Sequence, residues 1–344
     1  MENVVIKGEN KKCENCGGNL VFSPSFQSLK CNNCGSTEPI EKNSNIEYHQ
    51  YVENTKSKSN KIKGNITCKN CGATINLHNQ TSKKCPYCNS PYILQLNDSL
   101  KPDFVIPFKF DKNRAITIFT KAVKKKFFVP NKFKKKPNAE KIEAFYIPAF
   151  SFNQNTTSIY NGKISNTHTT RSGDTIRTYT TSKHISGTKV LEHRNVMVES
   201  SSLLNQIELD GILPYDMRQR VKFNEDFIRG YSLEYYVDSI NQSKKLADDI
   251  IDIIIRQSIL QGYSFDHVDY LNVNTSRSNE EYSYGVLPVY KFSYTYGKKN
   301  YNTLVNGQTG RLGTGLPISK AKVTCLVLTF LSVLATIICL AVFL

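Results

Sequence analysis

Residues 13–34 read CENCGGNLVFSPSFQSLKCNNC, and residues 68–88 read CKNCGATINLHNQTSKKCPYC. Each stretch contains two C-x-x-C pairs, separated by 14 residues in the first stretch and by 13 in the second. A C-x-x-C pair turns the chain so that two sulfurs face one metal ion, and a second pair completes a tetrahedral set of thiolates. The spacing therefore predicts two zinc ribbons that bind two structural zinc ions.

Glycine directly follows three of the four pairs, at Gly17, Gly35 and Gly72, where a positive φ would let backbone amides face the thiolates. Because the protein fills all four positions of each site, we expect the zinc to stabilise the ribbons and to leave no position for catalysis. A disulfide framework is the competing interpretation, which the lack of an N-terminal secretory signal disfavours. The predicted metal ligands are Cys13, Cys16, Cys31, Cys34, Cys68, Cys71, Cys85 and Cys88.

The C-terminal stretch, residues 323–344, reads VTCLVLTFLSVLATIICLAVFL and contains no charged residue. A helix of this length reaches about 33 Å, and the hydrocarbon core of a bilayer is about 30 Å thick. Lys320 and Lys322 precede it, so the positive-inside bias places the bulk of the chain in the cytoplasm. We predict a single-pass transmembrane helix, a tail anchor in the cell membrane, with a buried core helix as the alternative.

The formal charge of +16 is concentrated in residues 101–141, which carry 13 basic and 3 acidic side chains. Within them, residues 121–136 read KAVKKKFFVPNKFKKK and form a basic patch with interleaved phenylalanines. Lysines attract phosphate, and aromatic rings among them can stack on bases or enter a bilayer interface. Anionic lipid, nucleic acid and a solvated helix end therefore stay open as interpretations. The lysines of the patch are Lys121, Lys124, Lys125, Lys126, Lys132, Lys134, Lys135 and Lys136.

Two parts of the remaining chain share an outline, which predicts an internal repeat. Each part has an opening segment, a helical stretch, a strand that contains proline, and an Asn–Gly that favours a hairpin turn. The proline in each strand predicts a strand edge or a bulge. We therefore predict an α+β fold whose duplicated body contains an antiparallel sheet. The matching segments are DFVIPF (103–108) and DGILPY (210–215), FYIPAFSF (145–152) and GVLPVYKF (285–292), and Asn161–Gly162 and Asn306–Gly307.

The periodicity of the body predicts amphipathic helices over residues 111–127 and 238–261, and Thr- and Ser-rich antiparallel strands over residues 156–200. We expect Asp111 at the N-cap of the first helix and Ile254 among the buried residues of the second. Together with the motifs above, it gives the domain organisation of the chain. The predicted units are zinc ribbon 1 (1–40), a flexible linker (41–62), zinc ribbon 2 (63–98), the first repeat with its β-rich insert (99–200), the second repeat (201–316) and the transmembrane helix (323–344).

The order of the motifs resembles that of bacterial transcription-factor-IIB-type zinc-ribbon-containing proteins, some of which are named after the zinc region of a replication-restart helicase. The segments that carry the resemblance are CPYCNSP (85–91), VIPFKF (105–110), FYIPAFSF (145–152), ILPYD (212–216) and LVNGQTGRL (304–312). The resemblance implies metal binding by the eight paired cysteines.

No phosphate-binding loop, zinc-protease motif or nucleophile elbow occurs in the sequence, so we assign no catalytic residue. We therefore expect a non-enzymatic, membrane-tethered adaptor that binds a cytoplasmic protein partner. The alternative is a membrane-associated nucleic-acid-binding protein that uses the basic patch, and an enzyme is not excluded. Besides the membrane itself, anionic lipid, an unidentified cytoplasmic protein and nucleic acid are the partners under consideration.

Overall fold

The computed structural model has an α+β fold in which one large mixed sheet forms the body. Its helices are α1 (Lys112–Lys125), α2 (Gln206–Ile212), α3 (Ile240–Leu260) and α4 (Lys320–Phe343). Its strands are β1 (Gly8–Glu9), β2 (Leu20–Ser23), β3 (Ser28–Cys31), β4 (Thr37–Glu38), β5 (His49–Gln50), β6 (Lys63–Thr67), β7 (Thr74–His78), β8 (Gln80–Lys84), β9 (Pro91–Leu94), β10 (Phe104–Val105), β11 (Ile142–Ser172), β12 (Thr175–Glu199), β13 (Val221–Lys222), β14 (Ser232–Glu234), β15 (His267–Tyr296) and β16 (Lys299–Asn306). The structure describes residues 8–9, 11–53, 63–68, 71–78, 80–85, 87–88, 91–94, 101–134, 142–173, 175–201, 204–234, 239–296 and 299–343.

The two longest strands, β11 and β15, pair antiparallel and form the centre of the sheet. β12 folds back along β11, which confirms the predicted antiparallel strands. Helix α3 packs on this three-stranded arm through Ile251, Ile255 and Ile259, and Ile164 of β11 contributes to the same cluster. Apolar residues on one face of the helix therefore fix it to the sheet.

The neighbours of β11 and β15 follow one pattern. β14 pairs in parallel with residues 145–146 of β11, and β10 pairs in parallel with residues 285–286 of β15. Further along each long strand an antiparallel partner begins. β12 pairs with β11 from Ala149 onward, and β16 pairs with β15 from Val289 onward. Each long strand therefore has one short parallel partner and one antiparallel hairpin partner, arranged in the same order.

This pattern accounts for a proline in each long strand. Pro148 and Pro288 lie between the short parallel partner and the hairpin partner, and their carbonyls accept hydrogen bonds from Ser200 and Gly307 on that side. Proline has no N–H group to donate. At both positions an N–H would point between the two partner strands, so neither proline removes a hydrogen bond from a strand pairing. We had expected a strand edge or a bulge at these prolines, but both strands have partners on both sides.

Three expectations about the body are wrong. Residues 210–215, the expected counterpart of 103–108, form the end of α2 and a loop, and β14 has the position that corresponds to β10. Asn161–Gly162 lies inside β11 instead of in a hairpin turn, and the chain reverses after Ser172. The side chain of Ile254, expected to be buried in α3, is exposed.

The connecting segment, residues 41–53, was expected to be flexible but lies along the body. Its strand β5 pairs antiparallel with β15, and the ring of His49 is 2.9 Å from a carboxylate oxygen of Asp103. The hydroxyl of Tyr51 donates a hydrogen bond to Asn241 at the start of α3. The polar composition of the segment favoured a flexible linker. The contacts that hold it could not be predicted, because they join residues far apart in the sequence. Residues 54–62 of the predicted linker lie outside the described residues.

Candidate metal centres

The first group of four cysteines closes into a compact cluster. The sulfurs of Cys13 and Cys34 are 3.7 Å apart, and those of Cys16 and Cys31 are 3.5 Å apart. A tetrahedral site with metal–sulfur bonds of about 2.3 Å has sulfur–sulfur distances of about 3.8 Å. These four sulfurs therefore lie where thiolates must lie to hold one metal ion.

The second group has the same arrangement. The sulfurs of Cys68 and Cys88, and those of Cys71 and Cys85, are each 3.7 Å apart. All ten cysteines of the chain lie among the described residues, and none of them is in a disulfide. The structure thus contains two four-cysteine clusters that could hold metal ions, at the eight positions that the sequence predicted.

Tight turns place the cysteines of each pair. In the first turn the amide of Gly17 donates to the carbonyl of Cys13, and the equivalent bond joins Gly72 to Cys68. Gly17, Gly35 and Gly72 all have a positive φ, as predicted from their positions after the pairs. Pro86 and Asn89 of the fourth turn lie outside the described residues.

Three residues around the first cluster were missed by the sequence analysis. The hydroxyl of Ser36 is 3.1 Å from the sulfur of Cys13 and 3.0 Å from that of Cys34. The side-chain amide of Asn33 donates to the sulfur of Cys16, and a Cβ at Gly18 would lie 2.9 Å from the sulfur of Cys31. No motif marks these positions, since only the folded turn brings them to the sulfurs.

Hydrogen bonds lower the pKa of three of the four thiols in the first cluster. The Ser36 hydroxyl lowers the pKa of both Cys13 and Cys34, and the backbone amide of Gly18 lowers the pKa of Cys16. The pKa of Cys31 is raised, because burial and the neighbouring thiols outweigh the hydrogen bond from the Cys34 amide. Three of the four ligands therefore reach the thiolate form more readily than an ordinary thiol.

The second cluster differs in this respect. The Ala73 amide would lower the pKa of Cys71, but burial and the three neighbouring thiols raise it to about 12. A metal ion must displace this proton before Cys71 can act as a ligand, so binding here competes more strongly with protons.

The first four-cysteine unit, residues 11–40, is built into the core of the body. The ring of Phe22 is 5.4 Å from that of Phe227, edge to face, and its amide donates to the carbonyl of Arg229. Cys13 and Cys31 are buried in the same apolar cluster, which continues to Tyr146 and Tyr290 of the central strands. The buried cysteines of the first cluster and the body therefore share one core.

Polar contacts also join the first unit to the body. The amine of Lys11 is 3.4 Å from a carboxylate oxygen of Asp226, and the side-chain amide of Gln27 donates to the carbonyl of Phe108 at 2.7 Å. A cleft of about 630 Å³ opens beside the junction, between Val21 of the unit, Asp111 at the start of α1, and β11. These contacts fix the orientation of the first unit on the body.

The second four-cysteine unit, residues 63–94, joins the body through backbone pairing. Its strand β8 pairs with β14 at Leu233 and Glu234, and its strand β9 pairs with β1. Among its described side chains, Cys68, Ile75 and Cys85 are buried. Tyr87, in the turn between Cys85 and Cys88, is 72% exposed. This unit is thus an extension of the sheet edge with an aromatic residue at its surface.

The structure also places the basic patch. The patch begins on the exposed side of α1, whose opposite side is buried through Ala115, Ile116, Phe119 and Val123. Phe133 is buried, whereas Phe127 and Phe128 are exposed. Four patch lysines are exposed and Lys134 is partly buried, while the side chain of Lys132 and all of Lys135 and Lys136 lie outside the described residues. The four exposed lysines are Lys121, Lys124, Lys125 and Lys126.

The acidic cluster on α3 takes part in ion pairs. Asp248 contacts Lys244 at 2.7 Å and Arg277 at 3.1 Å, and Asp252 contacts Arg277 at 2.6 Å. Lys244 is buried, so these carboxylates neutralise charge between the helix and the sheet. Their role in the described structure is the attachment of α3 to the sheet.

The C-terminal helix α4 contains one candidate membrane span, Lys320–Cys339, with a mean hydropathy of 2.2 and no residue buried inside the protein. The alternative of a buried core helix is therefore wrong. By its length and composition, the helix is long and apolar enough to cross a membrane.

Comparison with known proteins finds a relative that matches most of the chain. The chain is similar to the uncharacterized protein YdjG of Bacillus subtilis (strain 168), with 28% identity over 320 residues that cover 91% of each chain. No protein-family model matches the chain, and no solved structure matches it. The two four-cysteine clusters are compatible with zinc ribbons, and the resemblance to the transcription-factor-IIB-type proteins stays a prediction.

Proposed function

We propose that this protein is a membrane-tethered adaptor whose body faces the cytoplasm and whose second four-cysteine unit binds a protein partner. The observation that carries the proposal is the contrast between the two units. The first unit is packed into the core of the body, whereas the second extends the sheet edge and exposes Tyr87. Aromatic side chains on an exposed surface are typical anchors of protein interfaces.

Zinc is the metal that we propose for both clusters. Four thiolates at tetrahedral distances suit Zn²⁺, although iron also accepts this donor set. Four protein ligands per ion leave no coordination position for a substrate, which supports a structural role. Elemental analysis of the reduced, purified chain is expected to give two equivalents of zinc. A value well below two, or iron in its place, would contradict this assignment.

The membrane tether rests on α4. Lys320 and Lys322 flank the start of the span, and this bias supports a cytoplasmic body. Deletion of residues 323–344 is expected to release the protein from sedimented membranes. Continued sedimentation of the shortened chain with membranes washed in high salt, which screens the lysines of the basic patch, would contradict the tether.

Site-specific crosslinking tests the adaptor role. A photoreactive amino acid at position 87 of the full chain, in its native membrane, is expected to capture a defined partner. The matched control has the same amino acid at position 26, because Phe26 of the first unit is 60% exposed. The capture must disappear in a Cys68→Ser/Cys71→Ser variant whose body stays folded. Equal capture at both positions, or capture that survives loss of the second cluster, would contradict the proposal.

Nucleic-acid binding is the second candidate function. It is favoured by the four exposed lysines and two exposed phenylalanines of the basic patch, a combination that suits single strands. The full chain in detergent would then retard DNA or RNA in a salt-dependent manner. Absence of retardation at low salt would remove this alternative.

A further inference from the structure

Hydrogen bonds join the start of α4 to the loop that follows α1. The amine of Lys322 donates to the carbonyls of Phe127 and Val129, at 2.9 and 3.0 Å, and to the side-chain oxygen of Asn131 at 3.0 Å. The amide of Ser319 donates to the carbonyl of Phe128 at 2.8 Å. These four bonds place the loop of residues 126–131 at the end of the candidate membrane span.

The loop presents two aromatic rings that the body does not cover. Phe127 is 63% exposed and Phe128 is 39% exposed, and their rings meet edge to face at 5.3 Å. Val129 and Phe133 on either side of Asn131 are buried, so the loop is firmly attached to the body. Exposed rings beside a membrane span lie at the depth where aromatic residues are enriched.

Positive charge surrounds the rings. The four exposed patch lysines lie on the last turns of α1 and at its C-terminal cap, directly before Phe127. The amine of Lys322 is itself 5.5 Å from the centre of the Phe127 ring. Lysines beside aromatic residues suit the headgroup layer of an anionic leaflet, where the amines meet phosphate and the rings enter the acyl boundary.

We propose that the loop of residues 126–131, together with Lys121, Lys124, Lys125 and Lys126, binds the anionic surface of the membrane that α4 spans. Phe127 and Phe128 enter the interface, the lysines contact lipid phosphate, and the body is thereby held in one orientation on the bilayer. The inference rests on the membrane tether of the proposed function. It favours lipid over nucleic acid, because the bonds to Lys322 and Ser319 direct this surface to the bilayer.

Single-tryptophan fluorescence of the full chain tests the inference, since the chain contains no tryptophan. Phe127→Trp reports the loop, Phe330→Trp reports the middle of α4, and Phe26→Trp reports the first four-cysteine unit as a control. Each variant is reconstituted into phosphatidylcholine vesicles, prepared with or without phosphatidylglycerol. In both preparations the acyl chains of the phosphatidylcholine carry bromine as the quencher. All three positions are exposed, so the substitutions are expected to leave the fold intact.

We expect quenching of Phe127→Trp in the anionic vesicles, weaker quenching without phosphatidylglycerol, and none for Phe26→Trp. Quenching of Phe330→Trp is the separate measure of the tether. If Phe330→Trp is quenched and Phe127→Trp is not, the lipid surface is refuted while the tether stands. If Phe330→Trp is unquenched, the tether of the proposed function fails, and Phe127→Trp still decides whether the loop binds lipid.

Charge variants separate lipid phosphate from apolar insertion. In the Phe127→Trp background, the four lysines are changed to Gln. Each change is expected to lower the equilibrium constant for binding of the loop to anionic vesicles by about fivefold. The matched control removes the same charge elsewhere and should leave the quenching unchanged. Equal quenching with and without anionic lipid, or a response to an oligonucleotide instead of vesicles, would overturn the proposal. The control lysines, each exposed, are Lys42, Lys183, Lys245 and Lys299.

Discussion

The two four-cysteine units have nearly the same ligand spacing but different attachments to the body. In the first, Cys13 and Cys31 belong to the apolar cluster that also contains Phe22 and Phe227. The second continues the sheet through the pairing of β8 with β14, and Tyr87 in its last turn is exposed. A shared motif therefore does not imply a shared role. We infer that metal in the first unit supports the body, whereas metal in the second shapes a surface.

The largest effect is expected from removing the two clusters in turn. Cys13→Ser/Cys31→Ser should destabilise the body by about 5 kcal/mol or more, because metal-dependent folding energy of the first unit is coupled to the shared core. Cys68→Ser/Cys85→Ser should shift the main unfolding transition much less, because the second unit joins the body by strand pairing at the sheet edge. Tyrosine circular dichroism during thermal unfolding measures both.

Each double variant serves as the control of the other, because each removes two buried ligands and one metal ion. Elemental analysis should find one equivalent of metal in either variant. Equal destabilisation by both pairs would show that the two units are attached in the same manner, and the comparison would then be wrong.

Loss of the ring that joins the first unit to the body should have the next largest effect. Phe22 is 3% exposed and packs against Phe227 and Tyr231. Phe22→Ala should cost about 3 to 4 kcal/mol in the free energy of unfolding, as a large buried ring is replaced by a cavity. Denaturant unfolding of the metal-loaded chain measures this loss.

Phe26→Ala is the matched control for that substitution. It removes the same ring from the same unit, but at a position that is 60% exposed, and should change stability by less than about 0.5 kcal/mol. A similar loss for both substitutions would argue that the unit is stabilised by its own fold and does not depend on the junction.

Local patterns in the sequence were sufficient to predict the two four-cysteine clusters and the apolar C-terminal helix. A thiolate cluster is specified by spacing within each pair, and a span by composition within about 20 residues. The N-cap of α1 was predicted in the same manner, since Asp111 accepts a hydrogen bond from the amide of Arg114. These features depend on neighbours in the chain, so one sequence reveals them.

Features that depend on distant partners could not be predicted. Phe22 meets Phe227 across more than two hundred residues, and β14 is three residues long, too short for an alternating pattern. The polar segment that contains His49 was expected to be a free linker because its partner β15 follows much later. Ser36 was missed because a serine after a cysteine pair has no distinctive spacing.

A tight contact behind the first cluster gives a smaller expected effect. A Cβ on Gly18 would lie 2.9 Å from the sulfur of Cys31 and 3.3 Å from that of Cys16. Gly18→Ala should therefore weaken metal binding to the first cluster by about 10- to 100-fold, as loss of a supporting residue does in other sites. Competition with a chromogenic chelator measures the affinity.

Gly17→Ala separates this steric effect from backbone strain. Gly17 has a φ of +70°, but a Cβ there would have no atom within 4 Å, so the substitution should cost about 1 to 2 kcal/mol of stability without moving a sulfur. If Gly17→Ala weakened metal binding as much as Gly18→Ala, the contact with Cys31 would not be the cause.

The smallest expected effect concerns pH. Metal binds thiolates, so a cluster whose thiol pKa values are lowered holds its metal to a lower pH. The Ser36 hydroxyl lowers the pKa of Cys13 and Cys34, whereas burial and neighbouring thiols hold the pKa of Cys71 at about 12. As the pH falls, the second cluster should therefore release its metal before the first. Two separate release steps should be visible with a chelator dye, each assigned with the corresponding double-cysteine variant.

Ser36→Ala tests the cause of this order. The substitution removes the hydroxyl that lies within 3.1 Å of both sulfurs and should raise the pH at which the first cluster releases its metal, bringing the two steps closer together. Ser25→Ala, in the same unit but hydrogen-bonded to Asp111 instead of a thiol, should leave both steps in place. If the first cluster of Ser36→Ala released its metal at an unchanged pH, attachment to the body, and not the hydroxyl, would determine how firmly that cluster holds its metal. The difference between the two units would then follow from packing alone.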